Sequence, residues 1–196
     1  MLKIYFYYFL VFFILFVLLY EFYNLYQRNI ITRRFYEKAK LLAEKKNKKL
    51  MVIGDPCRGN VNMWIQKRFQ NCEHGDVTID LFGCNHCDKM DINNIKEWKK
   101  YKSNEYVIIE TATLSFGKDM EKILSEIKRI SGGYFFSSGG TTSIGWKYIG
   151  NKFYSINYSN KLQSMIYPFD SSKDKYYKFY DFNSKKTIKI NWEKLN

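Results

Sequence analysis

From Ile4 to Tyr20 the chain runs seventeen residues without a charge, nearly all of them Leu, Ile, Val, Phe or Tyr. As a helix that run is about 25 Å long. With Phe22, Tyr23, Leu25 and Tyr26 added, it matches a hydrocarbon core of about 30 Å. Tyr5, Tyr7 and Tyr8 at one end, and Tyr20, Tyr23 and Tyr26 at the other, have the placing of interfacial aromatic belts. A cleaved signal peptide has a shorter apolar region, about 7–15 residues, followed by a small-residue cleavage site that is missing here. A buried core helix would have to be apolar on every face. The pattern predicts an uncleaved, single-pass transmembrane anchor over residues 1–27.

Charge then gives the anchor a direction. Only Lys3 precedes the run, whereas residues 28–49 carry nine basic side chains against two acidic ones, Glu37 and Glu44. That segment holds more than half of the chain's net charge of +13. Basic excess marks the cytosolic flank of a span, so the C-terminal domain is expected on the cytosolic side. Residues 28–48 read as a basic juxtamembrane stem whose Ile31, Phe35, Ala39 and Leu42 share one helical face, close to anionic headgroups. Nucleic acid is the rival partner for so much positive charge, and the adjacent span makes the lipid bilayer the better one.

Residues 49–196 are enough for one α/β domain with an ordinary core. The run Lys49–Ile53, stopped by Gly54, Asp55 and Pro56, predicts a buried first strand. Val61–Gln70 predicts a helix, Asp76–Asp80 a second strand, and a short third element leads to Met90-Asp91-Ile92. Ile95–Lys102 is a short helix or turn, and Tyr106–Glu110 a fourth strand rich in β-branched residues. Met120, Ile123, Leu124, Ile127 and Ile130 have helical spacing, with Asp119 as the cap and Gly132-Gly133 as the stop. Tyr134–Ser137 predicts a fifth strand. Alternation of strands and helices argues for a parallel sheet. Lys152–Tyr158 and Tyr176–Trp192 read as β-hairpins, the second turning at Asn183–Lys186.

The four cysteines are Cys57, Cys72, Cys84 and Cys87. A cytosolic domain keeps them reduced. Cys72, His74, Cys84, His86 and Cys87 fall within sixteen residues and are of zinc-ligand type. There is only one C-x-x-C and no H-x₃₋₅-H pair, so no metal site is assigned.

These residues carry a resemblance. Tyr106–Phe136 resembles the fourth strand, following helix and fifth strand of class I S-adenosylmethionine-dependent methyltransferases. Gly75-Asp-Val-Thr-Ile-Asp-Leu-Phe-Gly-Cys-Asn-His-Cys87 is similar to a methyltransferase-like subgroup with G-C-x-x-C after the second strand. The likeness covers roughly residues 49 to 150, and leaves out the anchor and the C-terminal hairpins. It implies a Rossmann-like doubly wound sheet with S-adenosylmethionine as cofactor, bound where the strand order switches. The implied cofactor-binding residues are Gly54, Asp55 and Gly59 in the first turn, Asp80 on the ribose hydroxyls and Asp91 near the adenine. The function implied is a membrane-anchored methyltransferase acting on an acceptor at the cytosolic membrane face. Two departures stand out. The glycine-rich E/D-x-G-x-G-x-G is replaced by Ile53-Gly-Asp-Pro-Cys-Arg-Gly59. After the fourth strand, Thr111-Ala-Thr-Leu-Ser-Phe116 offers no general base. The alternative is therefore a catalytically inactive member of the same fold with a binding, scaffold or assembly role.

Overall fold

The uncharged run and the basic segment after it form one unbroken helix, α1 (Leu2–Lys46). No Gly or Pro occurs anywhere in it, so nothing interrupts the i→i−4 ladder. Its 45 residues make a rod about 67 Å long. The rod ends at Asn47, which takes the left-handed conformation (φ 50°) that closes helices. The Asn47 and Lys48 N–H groups donate to the carbonyls of Glu44 (3.2 Å) and Ala43 (2.9 Å). The computed structural model describes residues 2–54, 74–81, 83, 86–111, 113–139 and 163–195. The helix expected at Val61–Gln70 and the hairpin expected at Lys152–Tyr158 lie outside them.

The two halves of α1 meet different surroundings. None of Lys3–Tyr20 is buried, and that stretch is long and apolar enough to cross a membrane. The last turns are instead part of the domain. Tyr36, Ala39 and Ala43 are buried in one cluster with Leu50, Val52, Val107, Ile109 and Phe136, and Phe35 and Leu42 pack against it. The Phe35–Ala39–Leu42 face, expected near headgroups, covers a sheet. Two small residues on that face let the helix backbone come close to the strands.

The main sheet is made of short strands, β1 (Lys49–Ile53), β2 (Val77–Asp80), β3 (Asp88–Lys89), β4 (Tyr106–Glu110), β5 (Phe135–Ser137) and β7 (Phe169–Asp170); β1 and β4 come from apolar runs too brief for helices, whereas β3 is two exposed charged residues. The strand order is β3-β2-β1-β4-β5-β7. The first five are parallel, and β7 runs antiparallel to β5. Alternation sorts the side chains between two layers. Leu50, Val52, Val107 and Ile109 face α1, while Met51, Ile53, Ile108 and Phe135 join the larger core on the other side. A short helix, α2 (Ile95–Trp98), and the amphipathic α3 (Met120–Ser131) belong to that side. α3 buries Ile123, Leu124, Ile127 and Ile130, as its spacing predicts. Asp119 caps it by accepting from the Lys122 N–H, and Gly132 at φ 61° ends it.

A second sheet, β6-β8-β9, is built from β6 (Ser164–Ile166), β8 (Tyr176–Asp181) and β9 (Lys186–Asn191), all antiparallel. The expected C-terminal hairpin is β8–β9, in register from Tyr176↔Asn191 to Asp181↔Lys186. Asp181 holds its turn by accepting from the Asn183 (2.9 Å) and Ser184 (3.2 Å) N–H groups.

One ion pair ties α1 to the far edge of the main sheet. Lys38 Nζ lies 2.6 Å from Asp170 Oδ2, with the Asp170 side chain only 7% exposed. Burial raises the Asp170 pKa, but hydrogen bonds from Lys38 and from the Ser172 hydroxyl and N–H outweigh it and hold the carboxyl below its ordinary value. A folded pKa below the unfolded one adds stability above the usual carboxylate range of about 3.9, and that stability is lost as pH falls through the folded value. Asp170→Asn is expected to lower stability at pH 7 by about 1–3 kcal/mol. Urea unfolding of wild type and variant should converge as pH falls below the usual carboxylate range and Asp170 becomes protonated, and a gap that persists once it is protonated would rule the pair out as its cause.

Candidate functional site

Parallel strands put all their carboxyl ends on one edge. Ile53 is in register with Ile79 on β2 and with Glu110 on β4. One residue further on, Gly54 lies between Asp80 and Thr111, its N–H donating to Ile79 O at 2.8 Å. From β1 the chain builds β2 and β3 to one side and β4 and β5 to the other, so the strand order reverses between β1 and β4. In open α/β sheets such a reversal leaves a crevice outside the carboxyl ends.

Of the residues the resemblance implied, Gly54, Asp80 and Asp91 fall on this edge, and Asp55 and Gly59 lie outside the described residues. Gly54 has φ +94°, a conformation that L side chains rarely adopt. A Cβ there would run into the Thr113 hydroxyl and come within 3.0 Å of Thr111 Oγ1. The space that this glycine opens is therefore used by the loop after β4. Both threonine hydroxyls donate to Ile53 O, at 3.4 Å each. Asp80 ends β2, half-exposed, and its carbonyl accepts the Met90 N–H at 2.9 Å. Asp91 follows β3 and is exposed. Its Oδ1 accepts from the Asn93 N–H (2.9 Å) and Nδ2 (3.0 Å), so part of its hydrogen-bonding capacity goes to a local turn. Asn93 in turn reaches Phe116 O (3.3 Å) and accepts the Lys118 N–H (2.8 Å), which joins the loops after β3 and β4.

The most unusual group on this edge is one that sequence reasoning passed over. Glu110, the last residue of β4, has no exposed surface. Acidic side chains are almost never fully buried without partners. The neighbouring Ser137 Oγ donates to its Oε1, and the Leu114 N–H reaches its Oε2 at 3.4 Å. Tyr177 comes to the same place from β8 and is fully buried. Burial first, then the charge of Glu110, push its phenol pKa well above the usual value, against the pull of the Ser137 hydroxyl. The hydroxyl of Ser138, next to Ser137, has no partner of hydrogen-bond geometry among the described residues, and that of Tyr177 has at most the Ser137 hydroxyl. A buried carboxylate beside buried hydroxyls with unmet capacity costs folding energy unless something else satisfies them, and such groups gather at functional sites. The signal in the sequence was a lone acid closing the apolar run Tyr106-Val-Ile-Ile-Glu110.

The cysteine and histidine cluster is only partly described. His74 and His86 come together, ring centroids 5.7 Å apart, although eleven residues of chain separate them. Cys87 is disulfide-bonded, which departs from the reduced thiols expected of a cytosolic domain. Cys57, Cys72 and Cys84 lie outside the described residues, and among the described residues no three ligand-type side chains gather around one point. The stem's basic residues are also partly spoken for. Lys38 pairs with Asp170, Lys48 donates to Asn104 Oδ1 and to Ser131 O, and Lys49 pairs with Glu105 at 3.0 Å. Arg33, paired with Glu37 one turn on, stays 72% exposed.

Comparison with protein-family models, with curated proteins and with solved structures finds no match.

Proposed function

We propose that this chain is a membrane-anchored protein of methyltransferase-like fold that binds S-adenosylmethionine at the carboxyl edge of its parallel sheet and acts on an acceptor at the membrane face. The observation that carries this reading is the strand order. The sequence β3-β2-β1-β4-β5 is that of a doubly wound nucleotide-binding sheet, with its reversal between β1 and β4 where Gly54 lies. The reading gives each residue a task. Gly54 lies beside the cofactor in this reading, and Asp55 and Gly59, outside the described residues, are assigned to it by the resemblance alone. Asp80 accepts from the ribose hydroxyls, and Asp91 lies towards the adenine. Methyl transfer from a sulfonium needs alignment and exclusion of water more than a strong base. Glu110, Ser137 and Tyr177, fully buried behind that edge, fix the carboxyl ends of β4 and β5 beneath the site rather than touching the acceptor. The helix Lys3–Tyr20 crosses the bilayer, and the basic excess after it places the domain on the cytosolic side.

A second reading is the same fold without the chemistry, serving binding, scaffold or assembly. Thr113 filling the space beside Gly54, and the Asp91 carboxylate turned to its own loop, favour it. Calorimetry on the full chain in detergent separates the two. S-adenosylmethionine should bind, and Asp80→Ala should weaken binding at least about tenfold, because losing charge-assisted hydrogen bonds worth 1.4 kcal/mol costs one decade. The fold should be unaffected, as circular dichroism would report. No binding by the wild type at millimolar ligand leaves the scaffold reading standing. Equal binding by both proteins removes Asp80 from the site.

A further inference from the structure

The helix that would anchor this protein is also the helix that covers its sheet, so the orientation of the domain is built into the fold. The connection from α1 to β1 is only Asn47-Lys48, a reversal too short for anything but an antiparallel neighbour. Ring contacts along β5 show the same direction. Lys46 and Lys48, at the end of α1, lie over Tyr134, 5.7 and 4.9 Å from its centroid. Lys38 and Phe35, two to three turns earlier, meet Phe136 at 5.3 and 5.9 Å. Going up β5 is going back along α1. The five parallel strands therefore point towards the apolar half of the helix, and α1 leaves the domain at the sheet's carboxyl edge.

We infer that this carboxyl edge, with Gly54, Asp80, Asp91 and Glu110 on it, is the side of the domain turned to the lipid surface, and that its partner there is the headgroup layer of an anionic bilayer. The inference rests on the reading of Lys3–Tyr20 as a membrane span. Geometry sets the gap. Phe35 packs near the carboxyl end of β5, and fifteen residues of helix separate it from Tyr20, about 22 Å. If the aromatic residues to Tyr26 belong to the interface, about 14 Å remain, of which headgroups take roughly 5–8 Å. A site on this edge looks across a narrow gap at the membrane rather than out into bulk solvent. Arg33 and Arg34 stand exposed on the stretch of helix that crosses it, and each cation near an anionic surface adds about 1 kcal/mol of attraction. A lipid headgroup is thus the ligand class presented to the site, and a soluble molecule has to enter the gap from the side.

Lys118 and Lys102 are suited to measuring this. Both are exposed, Lys118 in the loop after β4 on the carboxyl edge, and Lys102 before β4 on the opposite edge. A five-residue strand separates the edges by about 17 Å. Fluorescent residues replacing Lys118 or Lys102 are introduced singly into the full chain, which is reconstituted into phosphatidylglycerol-containing vesicles bearing a headgroup-linked acceptor dye. Energy transfer from Lys118 should exceed that from Lys102 at least about twofold over such a separation. Equal transfer, or more from Lys102, overturns the orientation while leaving the anchor intact. A chain that does not float with the vesicles and shows no transfer from either position removes the anchor, and this inference with it. Loss of the difference on replacing phosphatidylglycerol by phosphatidylcholine, with the anchor still inserted, would show that anionic headgroups hold the edge down.

Discussion

A chain beginning at Lys49, where the first strand starts, is expected not to fold, whereas one beginning at Arg28 is expected to fold and remain soluble. The sequence pattern puts a boundary at residue 48, but the packing does not. Removing α1 strips Tyr36, Ala39 and Ala43 from one face of the sheet and bares Leu50, Val52, Val107, Ile109 and Phe136. At about 1.5–3 kcal/mol for each large apolar side chain returned to water, the loss is on the order of 10 kcal/mol. That equals the whole stability of an ordinary domain, about 5–15 kcal/mol. The Lys38–Asp170 pair and the Tyr36 hydroxyl bond to His74 O (2.9 Å) go with it. Near-ultraviolet circular dichroism and amide exchange on the two truncated chains decide the matter. Native-like dispersion in the chain from Lys49 would show that α1 lies on the sheet without supporting it.

Phe135→Ala should be the most damaging single substitution in the core. Phe135 is fully buried on β5 and is the hub where the two sheets meet. Its ring lies 5.4 Å from Trp192, 5.8 Å from Phe169 and 6.2 Å from Tyr177, centroid to centroid. Those partners come from three later parts of the chain, so the cavity could be closed only by moving β7, β8 and the C-terminal turn together. Phe→Ala at such a site costs about 3–5 kcal/mol. For a chain of this size that is a fall in Tm of about 6–20 °C. Phe135→Leu, which keeps most of the volume, should lose less than half as much. A fall under about 2 °C for Phe135→Ala would mean that the C-terminal sheet is not packed on the main one as described.

Much of this was legible in the residues because it depends on local pattern. The seventeen-residue uncharged run, the capped spacing of α3, the left-handed stop at Gly132 and the β8–β9 hairpin each need only a few neighbours to specify them. The stem was misread for an instructive reason. Its apolar face, Phe35, Ala39 and Leu42, fits a lipid surface and a sheet equally well, since periodicity tells that a face is buried and not by what.

The site divides along the same line. That Gly54 and Asp80 fall on the carboxyl edge could be read in advance, because a glycine after a first strand and an acid ending a second are positions in the chain. Glu110 could not be ranked that way. Its importance comes from Ser137, twenty-seven residues on, and Tyr177, sixty-seven residues on, which reach it only when β5 and β8 are in place. The sequence by itself determined that a long apolar helix precedes an α/β domain of short strands. Only the tertiary structure decided that helix and domain are one packed body, and that the sheet's carboxyl edge points back along the helix. The physical reason is that local hydrogen bonds and side-chain period settle each element, whereas the direction one element takes over another is settled by which buried faces fit together across the chain.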